Sequence, residues 1–569
     1  MIGWRILCGA LVFVAVTTTA AAGTGVLAGR LTLAGVLTSF VLGLAAAWLT
    51  VRGASAPRQK ITVVDWVLFT VFALASLRAF LWVIYDHGDV IKVLSPHNLG
   101  DMALHLNLIN RWAAGGTFWP ENPFLAGTPF AYHPGMDLWN AVLRMAGVPL
   151  YEGLRWTGLL GAAATAAALW RWGRGFALAA FLFAGGLAAS ALWLGGALDP
   201  NETDTAWKNI FLAVFVTQRG FLYAFPAGLV LLTVWRAQLR GEEHGPRLPV
   251  LAQVALYASM PLFNAPAFLF LSAALAACAL AAWRPQLSRP FIVTGLVSII
   301  PATWLVHLVT AGFRAPSAFR YAPGWMQADG GVWFWWWNFG LFLPLVVWLG
   351  LIVFSRGGGD RAARVFYALG AGTLVFCFLF AIAPWEWDNT KLIVWGYLTL
   401  MPLLWTQVLA QWPGWLRAAT CVALFFSGAL SLVVGLDQRH GYQLASRAEM
   451  ADLQVLLRAV PRNARLAAAP SYEHPALLLG RPLAMGYEGH LVSQGFVYAP
   501  QRTDLDCLMN GADGWRDAAR RLGTRYLFWG RREAARWPQS TRAWTECTPL
   551  LGNFPAGQLY LLTPCLLEE

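Results

Sequence analysis

The feature that most constrains this chain is the recurrence of apolar runs about twenty residues long, separated mostly by short polar loops. A helix rises ~1.5 Å per residue, so ~20 such residues cross a hydrocarbon core ~30 Å thick. Candidate spans cover 4–22, 31–51, 62–84, 154–170, 175–197, 209–235, 249–263, 265–283, 291–311, 333–355, 364–383, 391–411 and 417–436. Pro261 and Pro266 bracket a tight reversal between the seventh and eighth. Backbone groups in lipid must be satisfied within the segment, so each run is read as a helix. Of 569 residues, 58% are hydrophobic and 12% charged, against about 25% charged in soluble proteins. A mean hydropathy of +0.53 means that burial is not confined to one stripe of each helix. Arg5 before an apolar run ending in small residues also fits a signal peptide, but a second span follows almost at once, which favours a retained helix.

The net charge of +12 does not mark a nucleic-acid partner, because many basic residues sit in short loops between the apolar runs. Alternate loops hold Arg52, Arg58 and Lys60; Arg171 and Arg174; Arg236, Arg240 and Arg247; Arg284 and Arg289; Arg356, Arg361 and Arg364; and Arg417. The positive-inside rule places these in the cytoplasm. The other set then faces outward: 86–153, 198–208, the 264 region, 312–332, 384–390 and everything after about 437. The expectation is a multi-pass protein of the cell (inner) membrane with a cytoplasmic N-terminus. Residues 1–437 form a mainly α, polytopic bundle of about 13 spans, and 438–569 a small extracytoplasmic, periplasmic α/β domain. Within that tail, 447–460 has helical periodicity, 514–522 is amphipathic, and Tyr526–Trp529 and Gln558–Leu562 read as strands. Cys8, Cys278, Cys377 and Cys421 read as core residues, whereas Cys507, Cys547 and Cys565 allow one disulfide in an oxidising compartment, with the pair left open.

Outward loops are long and rich in Asp, Glu, His, Asn, Trp and Tyr, and long loops are where function concentrates. In HNLGDMALHL, Asp101 and His105 are four apart and share one helix face. Asp101 is a candidate general base toward a hydroxyl, or else a helix cap beside His105. His133, farther along this loop, is a candidate for substrate binding. In DPNETDTAWKN, Asp204 and Lys208 are candidates to position a hydroxylated substrate or a metal, and Asp199 and Glu202 read as solvated. Arg219, in TQRGFLYAFP, lies about a third of the way into an apolar run, where a cation calls for a partner: a phosphate, or an acidic side chain. Arg314, Arg320, Tyr321, Trp325 and Asp329 precede WFWWWN. Trp333–Trp337 read mostly as an interfacial belt, with a minority available to line a site by stacking on sugar rings, and Arg320 beside Tyr321 as the better contact for an anionic headgroup. In PWEWDNTKL, Lys391 either neutralises a phosphate alongside Arg219 or pairs with Asp388. The tail phrase GRPLAMGYEGHLVSQG reads as a structural loop reaching toward the membrane site. Phosphate-loop, serine-hydrolase and zinc-protease patterns are missing at credible positions, which argues against those classes.

The many spans, the long first outer loop with an Asp near its start and the soluble outer tail together resemble the GT-C superfamily of membrane glycosyltransferases, which use polyprenyl-phosphate-linked sugars. GDMALHLNLI, ENPFLAGTPFAYHP, TQRGFLYAFP, PWEWDNTKL and GRPLAMGYEGHL resemble one branch of it. The resemblance implies an enzyme that moves a sugar from a polyprenyl phosphate to a glycan, lipid or protein acceptor, probing membrane lipid for its donor and inverting the anomeric carbon. It gives Asp101 the catalytic role, Arg219, Arg320 and Lys391 the donor phosphate, and His105, His133, Asp204, Tyr321 and Asp388 the substrate. Members of that branch carry His where PLFNAP has Asn264, so Asn264 receives no role. The Asp-x-Asp pattern of the oligosaccharyltransferase members is also missing, so no metal site is assigned and a divalent metal stays an open cofactor. The competing readings are a flippase or transporter of a lipid-linked glycan and a non-catalytic envelope-assembly protein. The implied mechanism requires Asp101, Arg219, Arg320 and Lys391 to line one cavity that opens to the outer leaflet.

Overall fold

The computed structural model describes the chain except residues 1, 96, 120, 188–198, 200–201, 283, 315–318, 328–330, 356–359, 438, 440, 548 and 567–569. Asp329 and the end of the predicted span 175–197 lie outside the described residues. The protein is a mainly α, multi-pass membrane protein. Its helices are α1 Ile2–Ala28, α2 Leu33–Gly53, α3 Val63–Leu81, α4 Asn98–Ala113, α5 Gly135–Met145, α6 Leu150–Leu182, α7 Phe221–Arg240, α8 Val250–Ala258, α9 Ala265–Ala281, α10 Pro285–Val309, α11 Gly331–Phe339, α12 Phe342–Ser355, α13 Arg361–Leu379, α14 Thr390–Leu403 and α15 Gly414–Leu436. Among the described residues eight helical stretches are long and apolar enough to cross a membrane, and up to nine with the bent pair α11–α12 counted as one. The predicted thirteen exceeds this because several runs are interrupted. α6 breaks at Gly173–Arg174, a π-helical turn Ile210–Val216 precedes α7, and α11 meets α12 at 84°.

Lipid and protein divide the helices by burial. α2 leaves Leu37, Val41, Leu44 and Trp48 exposed, as a surface in contact with acyl chains requires. α7 is almost wholly buried and crosses α14 closely at Gly228, where a Cβ would fall 2.4 Å from the Trp395 ring. Only glycine fits there, and the indole takes up the space.

The loops sort to two ends of the bundle. At the basic end, Arg5 Nε donates to Ala54 O at 3.0 Å, Trp4 Nε1 to Arg247 O at 3.3 Å, Arg171 to Pro57 O at 2.9 Å, and Arg240 Nε to Asp360 at 2.8 Å. Loops grouped by the parity of their charges therefore touch one another. At the opposite end the hairpin β1 (Tyr85–His87) and β2 (Val90–Val93) pairs antiparallel with β5 (Tyr442–Ser446), the strand that follows α15. Strands β3 (Arg320–Tyr321) and β4 (Phe380–Ala381) form a separate short ladder.

Beyond β5, strands β6 (Leu466–Ala467), β7 (Tyr526–Gly530), β8 (Leu550–Phe554) and β9 (Gly557–Leu561) form a mixed sheet in the order β6-β7-β9-β8, with β6 and β7 parallel. Helices Arg447–Leu456 and Trp515–Arg521 and strands β7 and β9 match the predicted positions. Cys507 is a free thiol and Cys547 is disulfide-bonded. This C-terminal segment is fastened to α4: Asn107 donates to Leu477 O and Asn110 to Leu478 O, each at 2.7 Å. Glu121 bridges the buried Arg111 and Arg465 at 3.0 and 3.2 Å. Removal of that carboxylate would strand two cations in a poorly solvated site.

Inside the segment, Glu533 and His474 are fully buried. The His474 Nδ1 accepts from the Ala476 N–H at 3.1 Å, so Nε2 holds the proton and donates to Glu533, also at 3.1 Å. Burial alone pushes the carboxyl up, but the His474 ring and the Ala469 N–H hold it, on balance, below the ordinary glutamate value of 4.5. Its contribution to stability is therefore complete above that value and is lost as pH falls through the lower folded one. Urea denaturation of the purified protein, followed by tryptophan fluorescence, is expected to show this acid loss. Glu533→Gln should be less stable at neutral pH and should flatten that part of the acid limb; an unchanged limb would mean the buried pair is not its source.

Candidate functional site

A cavity of about 1000 Å³ opens at the end of the bundle that carries the hairpin and the C-terminal segment. It is built where helices break or begin. α4 presents Asp101 and His105 from one face, with His97 just before its first turn. The chain entering α5 contributes Tyr132, His133 and Asp137, and the break before α7 contributes Arg219. Gly220 makes that break: a Cβ there would lie 2.1 Å from the Phe263 carbonyl oxygen, so the turn before Asn264 seats directly against it. The turn Glu386–Asn389 is pinned by Asn389, whose Nδ2 donates to Cys377 O at 2.9 Å and Phe380 O at 2.7 Å, and it presents Asp388 with Lys391. Asn338 of α11 accepts from the N–H groups of Ala206 and Trp207 at 2.8 Å each, and Trp387 Nε1 donates to Ala206 O at 3.0 Å. Three separate loops are thereby stitched around one space.

Nine residues carry predicted roles. Asp101, His105, His133, Asp204, Arg219, Asp388 and Lys391 line the cavity. Arg320 does not: it is half-exposed in β3, with its guanidinium 2.9 Å from Glu386 and a second bond to Ala383 O at 3.2 Å. The requirement that four named residues line one cavity thus fails at Arg320, because an ion pair in the β3–β4 ladder holds it outside. Tyr321, the remaining candidate, is exposed beside it and also stands off the cavity. The aromatic run behaves in the opposite way, since Trp333, Phe334, Trp337 and Asn338 line the wall rather than serving only as a belt. Glu202 is buried rather than solvated, and its Oε2 accepts from the Asn209 N–H at 2.8 Å. Asn264 lines the cavity, but its Oδ1 caps α9 through the Ala267 N–H at 2.9 Å.

The charges divide into three states. Arg219 is 1% exposed, and none of its three guanidinium nitrogens has a hydrogen-bond partner among the described residues. Its electrostatic counterpart is Asp137. Lys391 is paired, 3.0 Å from Asp388. Asp101 is half-buried and makes no hydrogen bond or ion pair among the described residues. Burial pushes its carboxyl pKa up, opposed by the positive influence of His105 and Lys391. His105 Nδ1 lies 2.9 Å from Asp137 Oδ1, both side chains buried, though the alignment falls short of a hydrogen bond. Burial, aided by Lys208, holds His97 at about 4. Burial, aided by Lys391 and His105, holds His133 at about 3. These two rings are neutral at pH 7, so the cavity's standing positive charge is Arg219, shared with the Lys391–Asp388 pair and Lys208. Among the described residues no group of three or more His, Cys, Asp or Glu is placed to hold a metal ion.

Sequence reasoning missed Asp137, His97 and Tyr132, and gave only a minority of the aromatic run the place in the wall that Trp333, Phe334 and Trp337 take. Asp137 sits in the first turn of α5, where an acidic residue reads as a partner of the helix dipole.

No family model matches the chain, and no curated protein sequence matches it. Among solved structures, it is similar to ArnT from Cupriavidus metallidurans in the apo state, at 15% identity and a TM-score of 0.44, over 88% of this chain and 98% of that one. The same protein bound to undecaprenyl phosphate gives 14% identity and 0.44, over 89% and 99%. The archaeal oligosaccharyltransferase AglB from Archaeoglobus fulgidus, in complex with an inhibitory peptide and a dolichol-phosphate, gives 11% and 0.40, over 87% and 74%. Similarity at this level assigns neither a family nor a reaction.

A buried arginine whose guanidinium makes no hydrogen bond among the described residues weakens the fold that holds it. Arg219→Met, which keeps the stem and removes the charge, is expected to raise stability by ~1–3 kcal/mol. Thermal unfolding in detergent checks this, and a lowered midpoint would show that the guanidinium is already satisfied.

Proposed function

We propose that the protein is an integral membrane glycosyltransferase that moves a sugar from a polyprenyl phosphate to an acceptor at the extracytoplasmic face. The observation that carries this reading is the presence, in one cavity, of a buried guanidinium and a half-buried carboxylate that each make no hydrogen bond among the described residues. A phosphate answers the first need and an acceptor hydroxyl the second. The cavity wall includes α11, whose Val332 and Trp333 are exposed, so a lipid-borne donor has an apolar approach to it. The disulfide at Cys547 fits an oxidising compartment on that side, as the loop charges do.

In the proposed reaction Asp101 takes the proton from the acceptor hydroxyl. The acceptor oxygen forms its bond to the anomeric carbon as the bond from that carbon to the phosphate oxygen breaks. The electron pair departs with the phosphate, where Arg219 stabilises the developing charge and Lys391 shares it with Asp388. Direct displacement inverts the anomeric carbon. His105 and Asp137 border the base, and His133, Asp204 and Asp388 border the sugar or acceptor. Arg320 and Tyr321 have no part in this scheme, which uses only cations that the chain itself supplies.

Asp101→Asn, assayed in purified protein with a polyprenyl-phosphate sugar and a candidate acceptor, should lower transfer by about 10²–10⁴-fold. Donor binding should persist. Because the carboxyl is raised and acts unprotonated, wild-type kcat/KM should fall as pH drops through its elevated value and stay level above it. Full transfer by the asparagine variant would remove Asp101 from the reaction.

A further inference from the structure

The side of the cavity formed by the C-terminal segment has no role in the scheme above. Helix Glu488–Ser493 brings His490 against α4, with Nε2 3.0 Å from the Gly100 carbonyl oxygen. A carbonyl only accepts, so Nε2 carries the proton and Nδ1 keeps its lone pair. Burial holds the imidazole at about 4, which leaves this tautomer neutral at pH 7. The ring stands edge-on to Tyr487, with centroids 5.2 Å apart at 88°, and against Phe124 at 6.3 Å, so its direction is set by packing. His490 is only 7% exposed, yet Nδ1 has no hydrogen-bond partner among the described residues. Gln494, one turn further on, also lines the cavity, and its Oε1 is likewise unpartnered. An acceptor buried without a donor costs ~1–3 kcal/mol, which a ligand hydroxyl recovers.

We infer that the C-terminal segment gives the cavity a hydroxyl-recognising wall, in which Nδ1 of His490, with Gln494 beside it, accepts a hydrogen bond from a polyhydroxylated acceptor glycan. The inference rests on the glycosyltransferase reading and names the acceptor's chemistry. Lone-pair acceptors repel phosphate and attract O–H donors, so this wall cannot be a second phosphate site. Gly100 immediately precedes Asp101, so the ring is anchored one residue from the proposed base. The same ring therefore ties the base's helix to the segment and reads the acceptor.

Two substitutions separate these tasks. His490→Gln keeps an N–H near the Nε2 position for Gly100 O and removes the Nδ1 acceptor. His490→Asn puts an amide oxygen near Nδ1 and gives up the Gly100 bond. The full chain in nanodiscs would be titrated with a panel of soluble oligosaccharides, with undecaprenyl phosphoglucose and with undecaprenyl phosphate. The best-bound oligosaccharide should weaken about tenfold with His490→Gln, the equivalent of one hydrogen bond, and less than about threefold with His490→Asn. Undecaprenyl phosphoglucose should bind both variants as it binds wild type. Equal losses in the two variants, a loss confined to undecaprenyl phosphoglucose, or no oligosaccharide binding to wild type would each overturn the inference. Undecaprenyl phosphate failing to bind wild type would instead sink the donor reading, whatever the oligosaccharides do.

Discussion

Backbone hydrogen bonding in a medium without water governs this structure. A helix satisfies its own peptide groups, so a membrane-embedded chain is free to break only where protein or a water-filled space takes over. The α6 break at Gly173–Arg174 lies at the basic end, and four others gather at the opposite one. The turn before α7, the start of α9 at Asn264, the bend between α11 and α12 and the turn before α14 all open toward the same cavity. Three buried asparagines replace lost backbone partners around them: Asn264 caps α9, Asn389 satisfies two carbonyls, and Asn338 receives the N–H groups of Ala206 and Trp207. The same buried amides that make the breaks tolerable therefore define the shape of the site.

Electrostatics then sorts the cavity's polar groups. Burial discharges the imidazoles of His97 and His133, so they act as hydrogen-bonding groups. Arg219 stays charged because no environment short of extreme readily removes a guanidinium proton. The residue that resists neutralisation is the one left without a partner, whereas Lys391 has its own carboxylate 3.0 Å away. Among the described residues one cation thus makes no hydrogen bond and the other is already balanced by a carboxylate.

Much of this was legible in the chain. Apolar length marked the helices, and charge parity sorted loops that do touch at the basic end. The Asp101–His105 spacing and the depth of Arg219 each pointed into the cavity, because both are local properties of a helix. Partner choice across the fold was not local. Arg320 and Arg219 are both arginines near apolar sequence, yet Arg320 meets Glu386 through a two-residue ladder that no spacing reveals. Composition alone could not say which aromatics of the Trp333–Trp337 run face a site and which face lipid; the 84° bend sets α11 along the cavity and puts Trp333 and Trp337 in its wall. Glu202 sat in a loop rich in charge, but a single N–H from Asn209 draws it inside.

The sheet that joins β2 to β5 has a bearing on biosynthesis. β5 lies about 350 residues after the hairpin it completes, beyond the last helix of the bundle. During translation the hairpin therefore waits with an unpaired edge while every intervening helix is inserted. Only when the C-terminal segment has been made is the ladder closed and the His490 side of the cavity completed. A ribosome that stalls before that point releases a chain that is fully anchored in the membrane but has no finished site.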